Sequence, residues 1–156
     1  AFARIISIDD EARLVLTGGC GPSEDLVEST IGAYGLGGTV VRTGRIPEAD
    51  LDLLYRSASM MAFPSLYEGF GVPVLEAMAR GCPVVASDAG ALPEVVDGAG
   101  ILLDPIDVAG WAEAITSLLA DTESRALLIR KGFERARLFV WAESADALLT
   151  VYRETM

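Results

Sequence analysis

The amino-acid sequence predicts an α/β fold in which a parallel sheet is flanked by helices. The main observation is that short, largely apolar runs alternate with amphipathic segments along the chain. A second observation is that 51% of the 156 residues are hydrophobic, which is enough to form one core without disulfide bonds or structural metals. The runs predicted as short buried strands are Arg13–Leu16, Thr39–Arg42, Met60–Phe63, Pro83–Ala86 and Gly100–Leu103.

Apolar residues at helical spacing mark the segments between and after these runs. One predicted helix carries Leu51, Leu54, Tyr55 and Ala58 on one face. The next carries Val108, Trp111, Ala112, Ile115, Leu118 and Leu119. The last carries Trp141, Ala145, Leu148, Leu149 and Tyr152. We therefore expect both tryptophans to pack against the core and not to serve as platforms for sugar stacking.

Length and composition exclude several classes of protein. The chain has the size of one domain, residues 1–156, and its net charge of −11 argues against a nucleic-acid surface. No apolar run approaches the ~18–20 residues of a membrane span, and the start lacks the features of a signal peptide. The absence of His removes His-dependent triads and imidazole metal sites from this chain. Cys20 and Cys82 lie far apart and are expected to be reduced, which favours the cytoplasm.

Three loops follow predicted strands and are candidates for a binding site, because open parallel sheets bind ligands beyond the carboxyl ends of their strands. They are Thr17–Pro22, Thr43–Pro47 and Pro64–Pro73. The first is a strand-to-helix glycine turn. It is a poor dinucleotide fingerprint, because the acidic residue expected ~20 positions later is not cleanly placed.

The third loop has the strongest pattern. A strand ends near Phe63, and a helix is expected to begin near Gly71–Pro73, since proline suits a first helical turn. The backbone amides that could point at an anion belong to Gly69, Phe70, Gly71 and Val72. The helix dipole adds attraction for a phosphate.

Glu68 lies at the entrance of this loop and Glu76 within the first turns of the helix. Carboxylates beside a phosphate site are reasonable if they accept hydrogen bonds from the hydroxyls of a ribose and a sugar ring. Two ordinary glutamates near a helix N-terminus would give the same spacing, so the pattern alone leaves both interpretations open. A glycosidase pair is disfavoured, because both residues lie at one helix start and not across a sugar.

A further acidic group, Asp50-Leu51-Asp52, resembles an Asp-x-Asp metal motif. It falls on a predicted amphipathic helix with Leu51 on the buried face, so we interpret it as a helix surface and predict no metal site. Glu94 is expected to cap or orient the loop after Ser87-Asp88.

The segments Tyr67–Gly71 and Leu75–Met78 place two glutamates with seven residues between them. With the stretches listed next, they give the chain a resemblance to the retaining glycosyltransferases of family 4, which have the GT-B fold. The other matching stretches are Gly81–Ser87, Leu92–Val95, Gly100–Pro105, Leu14–Gly19 and Thr43–Ile46. The resemblance spans nearly the whole chain.

This resemblance implies a Rossmann-like C-terminal half of a GT-B enzyme. That enzyme would transfer a hexose of mannose or glucose type from a GDP- or UDP-sugar to an acceptor hydroxyl, with retention and without a metal or other cofactor. GDP-mannose is slightly favoured. Glu68 would be catalytic, holding hydroxyls of the donor sugar, and Glu76 would bind the ribose. The remaining donor-binding residues would be Gly69, Phe70, Gly71, Val72, Gly18, Gly19, Arg45 and Ile46. Pro73 departs from the pattern, because it has no N–H to offer a phosphate.

The resemblance also places the family's two basic phosphate-binding residues on a first strand, which we expect to precede Ala1. Arg13–Leu16 and Met60–Phe63 should then flank the gap left by that strand. An N-terminal domain outside this chain would bind the acceptor glycan or lipid and could hold the enzyme at the inner face of the membrane. The chain alone is therefore expected to be inactive. The alternatives are a non-catalytic nucleotide-binding module, a nucleotide-sugar 2-epimerase, or a phosphorylase. Only Lys131 could serve as the cofactor lysine of a phosphorylase, and it lies in a distal helix.

Overall fold

The computed structural model describes residues 1–19 and 21–155. Helices and strands alternate through this part of the chain. The strands are β1 (Leu14–Thr17), β2 (Val40–Gly44), β3 (Met61–Phe63), β4 (Val84–Ser87) and β5 (Ile101–Leu103). The helices are α1 (Phe2–Ile6), α2 (Glu24–Ala33), α3 (Glu48–Ser57), α4 (Val72–Ala79), α5 (Leu92–Val96), α6 (Val108–Ala120), α7 (Thr122–Ala136) and α8 (Trp141–Thr155). Each predicted strand is found within one or two residues of its expected bounds.

The strands form two parallel sheets, one of order β1-β2 and one of order β3-β4-β5. Leu14 is opposite Val40 in the first sheet, and Met61 is opposite Val84 in the second. The predicted α/β class with parallel strands and flanking helices is therefore confirmed. Within the described residues β1 and β3 are not hydrogen-bonded neighbours, as the placement of Arg13–Leu16 and Met60–Phe63 on either side of a gap requires.

The core is built around β4, in which every residue is buried. Val84 and Ala86 pack into one apolar cluster, to which α4 contributes Val74 and Met78. Val85 points to the opposite face, as alternation along a strand dictates, and packs against a second cluster that includes residues of α6. The sheet that carries the third candidate loop is thus covered by helices on both faces.

The smaller sheet differs from the prediction that all five runs are buried strands. In β2 only Val40 is partly covered, and Val41 is 48% exposed. Helix α2, which connects β1 to β2, has no buried residue. Buried parallel strands need an apolar layer on each face, whereas α2 meets β2 through ion pairs from Glu24 and Glu28 to Arg42 and buries no residue of its own.

The last helix also departs from expectation. Trp111 is 4% exposed, and its indole N–H donates to the Asp104 carbonyl oxygen at 2.9 Å, so its predicted core position is confirmed. Trp141, at the start of α8, is 86% exposed, and α8 has no buried residue. The prediction was wrong for Trp141 because helical spacing identifies an apolar face without identifying what covers it.

Helix α7 packs directly against α4. Gly132 is buried in α7, and a Cβ at this position would lie 3.3 Å from Met78 Cβ and Cγ, so the missing side chain lets the two helices approach closely. Arg135 donates through Nε to the Val95 carbonyl oxygen at 2.9 Å and thereby ties α7 to α5. The helix that follows the candidate loop is held by the core and by α7. Among the helices described, none has the length and apolar character needed to cross a membrane.

Candidate functional site

The loop after β3 ends at a helix N-terminus whose amides are available. Gly71 is the N-cap of α4 with a φ of 100°, a left-handed conformation that suits glycine, and its carbonyl oxygen accepts from Val74 N–H at 2.9 Å. Pro73 stands in the first turn, as predicted. Within residues 1–19 and 21–155, the amides of Gly69, Phe70, Gly71 and Val72 donate to no other group of the protein. Free amides aligned with a helix dipole can bind an anion.

Glu68 is half-buried at the entrance of this loop, and only part of its carboxylate is occupied. Ser65 Oγ donates to Glu68 Oε1 at 3.0 Å, and the Glu68 carbonyl oxygen accepts from Ala91 N–H at 3.1 Å. These contacts fix the residue at both its side chain and its main chain. The second carboxylate oxygen can accept hydrogen bonds from hydroxyl groups of a ligand.

Glu76 lies on α4 and is also half-buried. The hydroxyl of Tyr55 lies 3.5 Å from Glu76 Oε2, and Arg80 Nη1 donates to the Glu76 carbonyl oxygen at 3.1 Å. Burial, and then the negative charge of Glu76, raise the pKa of Tyr55 to about 12. The phenol therefore stays protonated and can donate to Glu76, whose other carboxylate oxygen remains able to accept from a diol.

The Asp-x-Asp pattern lies on the surface of α3, as predicted. Asp52 accepts from Arg56 Nε at 2.6 Å and from Arg80 Nε at 2.7 Å, and Leu51 packs against the core. Hydrogen bonds from these two guanidinium groups hold the pKa of Asp52 below its usual range. Among the described residues, no group of three or more His, Cys, Asp or Glu side chains is placed to hold a metal ion.

The loops after β1 and β2 form a second group of predicted site residues. Gly18 has a φ of 128° and donates its N–H to the Gly44 carbonyl oxygen at 2.9 Å. A Cβ on Gly19 would lie 3.0 Å from Arg45 Nε, so the glycine turn and the arginine are in contact. Ile46, the residue after Arg45, is half-buried. Cys20 lies outside the described residues.

The structure therefore collects the predicted site residues into two groups. One group follows β1 and β2, and the other follows β3. Both stand at the carboxyl ends of parallel strands, where ligands bind in open α/β sheets. In the part of the chain that the structure describes, no hydrogen bond joins one group to the other.

Several contacts that support the site have no signal in the sequence. The Phe70 ring meets Phe139 edge-on, with centroids 5.6 Å apart, and the Arg135 guanidinium carbon lies 4.8 Å from the Phe139 ring centroid. Helical spacing marks Tyr55 only as an apolar residue of α3 and does not indicate its contact with Glu76. Glu94, in contrast, was expected to cap or orient the loop after Ser87-Asp88. It is exposed on α5, whose N-cap is Ala91 with no side-chain cap hydrogen bond, and its carbonyl oxygen accepts from Arg135 Nη2 at 2.5 Å. The candidate loop is thus supported by contacts from distant parts of the chain.

Residues 1–135 match the family described as glycosyl transferases group 1. The chain belongs to this family. It is 36% identical over 140 residues to the O-antigen chain mannosyltransferase B of Escherichia coli, which covers 90% of this chain. It is 35% identical over 161 residues to the D-inositol 3-phosphate glycosyltransferase of Segniliparus rotundus, which covers the whole chain. These findings confirm the family predicted from the sequence.

The structural comparison agrees. The sucrose-phosphate synthase of Thermosynechococcus elongatus superimposes with a TM-score of 0.87 and 32% identity over 99% of this chain. The chain has the fold of a GT-B glycosyltransferase domain. It spans only 37% and 36% of the two curated relatives and 41% of the solved synthase.

Proposed function

We propose that this chain is the donor-binding part of a retaining hexosyltransferase. The full-length protein would move a hexose of mannose or glucose type from a GDP- or UDP-sugar to an acceptor hydroxyl. The observation that carries the proposal is the loop after β3. It places a half-buried carboxylate, Glu68, directly before a row of free amides at the N-terminus of α4. The mannosyltransferase among the group 1 relatives supports a hexose donor.

In this proposal each feature of the loop has a role in holding the donor. The amides from Gly69 to Val72 donate to the sugar and the diphosphate, and the dipole of α4 stabilises the phosphate charge. Glu76 accepts from the ribose hydroxyls while Tyr55 holds its other oxygen. Glu68 accepts from hydroxyls of the sugar. The glycine turn at Gly18–Gly19 and the Arg45–Ile46 backbone face the nucleoside.

The proposed reaction needs no general base from this chain. The bond between the anomeric carbon and the diphosphate oxygen breaks, and the acceptor oxygen bonds to the same face of that carbon. The acceptor proton passes to the departing diphosphate. Charge develops on that diphosphate, where the free amides of the loop and the helix dipole stabilise it. On this basis we propose a reaction that needs no metal. The Asp-x-Asp pattern fits this proposal, because its Asp52 carboxylate is already paired with Arg56 and Arg80.

We propose that the acceptor glycan or lipid binds to a part of the protein outside this chain, and that the enzyme works in the cytoplasm. Cys82 supports that location. It is a buried free thiol, and burial raises its pKa to about 11, so it stays protonated and unreactive. A structural thiol of this kind suits a reducing compartment.

The proposed function predicts transfer that is insensitive to chelators. We would incubate the full-length protein with GDP-mannose or UDP-glucose and sugar or lipid acceptors, with and without EDTA. The product should keep the anomeric configuration of the donor, as read from proton NMR couplings, and the rate should be unchanged by EDTA. Inversion, or loss of activity that Mg²⁺ or Mn²⁺ restores, would contradict the proposal. Epimerised nucleotide sugar formed without an acceptor would support the epimerase alternative.

A further inference from the structure

We propose that Gly90 is a positioning residue for Glu68. It lies in the loop Asp88–Ala91, which connects β4 to α5, and its lack of a side chain lets this loop lie directly against the main chain of Glu68. The inference rests on the proposed function, because it assigns Gly90 a role in the reaction that Glu68 serves.

The contact between the two loops is made by backbone atoms. A Cβ on Gly90 would lie 2.6 Å from the Glu68 carbonyl oxygen and 3.0 Å from its amide nitrogen. Cβ atoms essentially never approach other heavy atoms within 3.0 Å, and a main chain cannot swing aside as a flexible side chain can. Any side chain at this position must therefore displace Glu68 or the loop that contacts it.

The loop that carries Gly90 is anchored at both ends. At its start, Asp88 N–H donates to the Leu103 carbonyl oxygen of β5 at 2.7 Å. At its end, Ala91 N–H donates to the Glu68 carbonyl oxygen at 3.1 Å, and the next residue, Leu92, is fully buried. Because Asp88 is tied to β5 and Leu92 is buried in the core, the loop is held independently of Glu68, and we expect a clash at Gly90 to displace Glu68.

Leu92 extends the same support to the other end of the donor loop. A Cβ on Gly71 would lie 2.6 Å from Leu92 Cδ2, so the helix N-cap rests against the first residue of α5. Gly90 and Leu92 thus support separate parts of the donor loop. Leu92 contacts the N-cap beside the free amides, and Gly90 contacts Glu68. A change at Gly90 should therefore disturb the sugar end of the donor more than the diphosphate end.

The chain supplies a matched control at Gly98, which follows α5. Gly90 and Gly98 both have left-handed backbones, with φ values of 58° and 74°, so a side chain meets the same kind of conformational cost at either position. A Cβ on Gly98 would have no heavy atom within 4 Å. The two glycines differ in whether they contact Glu68.

The test compares Gly90→Ala with Gly98→Ala in the full-length protein. Each variant is assayed for kcat, for KM of the nucleotide sugar, for the Kd of free nucleoside diphosphate and for Tm. We expect both variants to lose Tm through backbone strain, Gly90→Ala more because its Cβ also meets the Glu68 main chain, and we expect Gly98→Ala to keep kcat within about twofold. Gly90→Ala should lower kcat by about ten- to a hundredfold, the scale of a misplaced catalytic group, and leave the nucleoside diphosphate Kd within about threefold.

Asparagine variants at both positions separate backbone strain from contact, because asparagine tolerates the left-handed conformation but still carries a Cβ. Gly90→Asn should lose kcat as Gly90→Ala does, and Gly98→Asn should not. If the wild type transfers sugar and the Gly90 and Gly98 variants have equal kcat, the role of Gly90 is overturned and the proposed function is not. Loss of folded protein in both Gly90 variants, but in neither Gly98 variant, would also overturn it. A wild-type protein without transfer activity would overturn the proposed function first.

Discussion

Replacing Glu68 with alanine in the full-length protein is expected to lower kcat by at least about a hundredfold, close to 2.7 kcal/mol of transition-state stabilisation. Ser65 holds one oxygen of the carboxylate and Ala91 N–H holds the main-chain carbonyl of Glu68, so the other carboxylate oxygen is already in place to accept from the sugar. A charge-assisted hydrogen bond of this kind gains strength as the sugar becomes electron-poor. Steady-state kinetics with the nucleotide sugar measures the effect.

Free nucleoside diphosphate should bind the Glu68→Ala variant within about threefold of the wild type, because it lacks the sugar that Glu68 contacts. Glu113→Ala, at an exposed position on α6, is the matched control for removal of a glutamate and should leave both quantities unchanged. Unchanged turnover in Glu68→Ala, or a loss of free-nucleotide affinity equal to that of Glu76→Ala, would show that Glu68 does not serve the sugar.

Glu76→Ala is expected to weaken the binding of free UDP or GDP by about 1–3 kcal/mol, the cost of losing a charge-assisted hydrogen bond. Glu76 stands on α4, where alanine is a good helix former, so the helix should persist. Tyr55 also loses its acceptor in this variant. Titration calorimetry of the full-length protein with each nucleotide measures the change.

A deoxyribose nucleotide makes the Glu76 test specific. If Glu76 accepts from ribose hydroxyls, removing the hydroxyl and removing the carboxylate delete the same interaction, so the two losses should not add. Full additivity, or a Glu76→Ala variant that binds UDP and GDP as the wild type does, would contradict the assignment. The two mutants together distinguish the sugar end of the site from the nucleoside end.

Much of the fold was predictable because local patterns determine it. Short apolar runs predicted the five strands, and Pro73 after Gly69 and Gly71 marked the start of α4. The exposure of β2 and of Trp141 was not predictable. Periodicity reports which face of an element is apolar, whereas the partner that covers this face depends on tertiary packing.

The candidate site divides in the same way. The loop after β3 could be found from glycine spacing and from two glutamates with seven residues between them. The contacts that support this loop could not be predicted from the sequence. Tyr55 beside Glu76, Phe139 beside Phe70 and Gly90 beside Glu68 each join residues far apart in the chain, with no shared local pattern. Gly90 gave one faint signal, because it follows a strand that ends at the same edge of the sheet as β3.

We propose that nucleoside diphosphate binds at the glycine loops, and glycine-selective ¹⁵N labelling of the full-length protein can test this claim residue by residue. On titration with UDP or GDP, the amide signals of Gly69 and Gly71 should shift saturably, and those of Gly18 and Gly19 should move with them. Gly37, which precedes β2 at the opposite end of the strands, should not respond. Saturable nucleotide binding that leaves the Gly69 and Gly71 signals in place would contradict the claim.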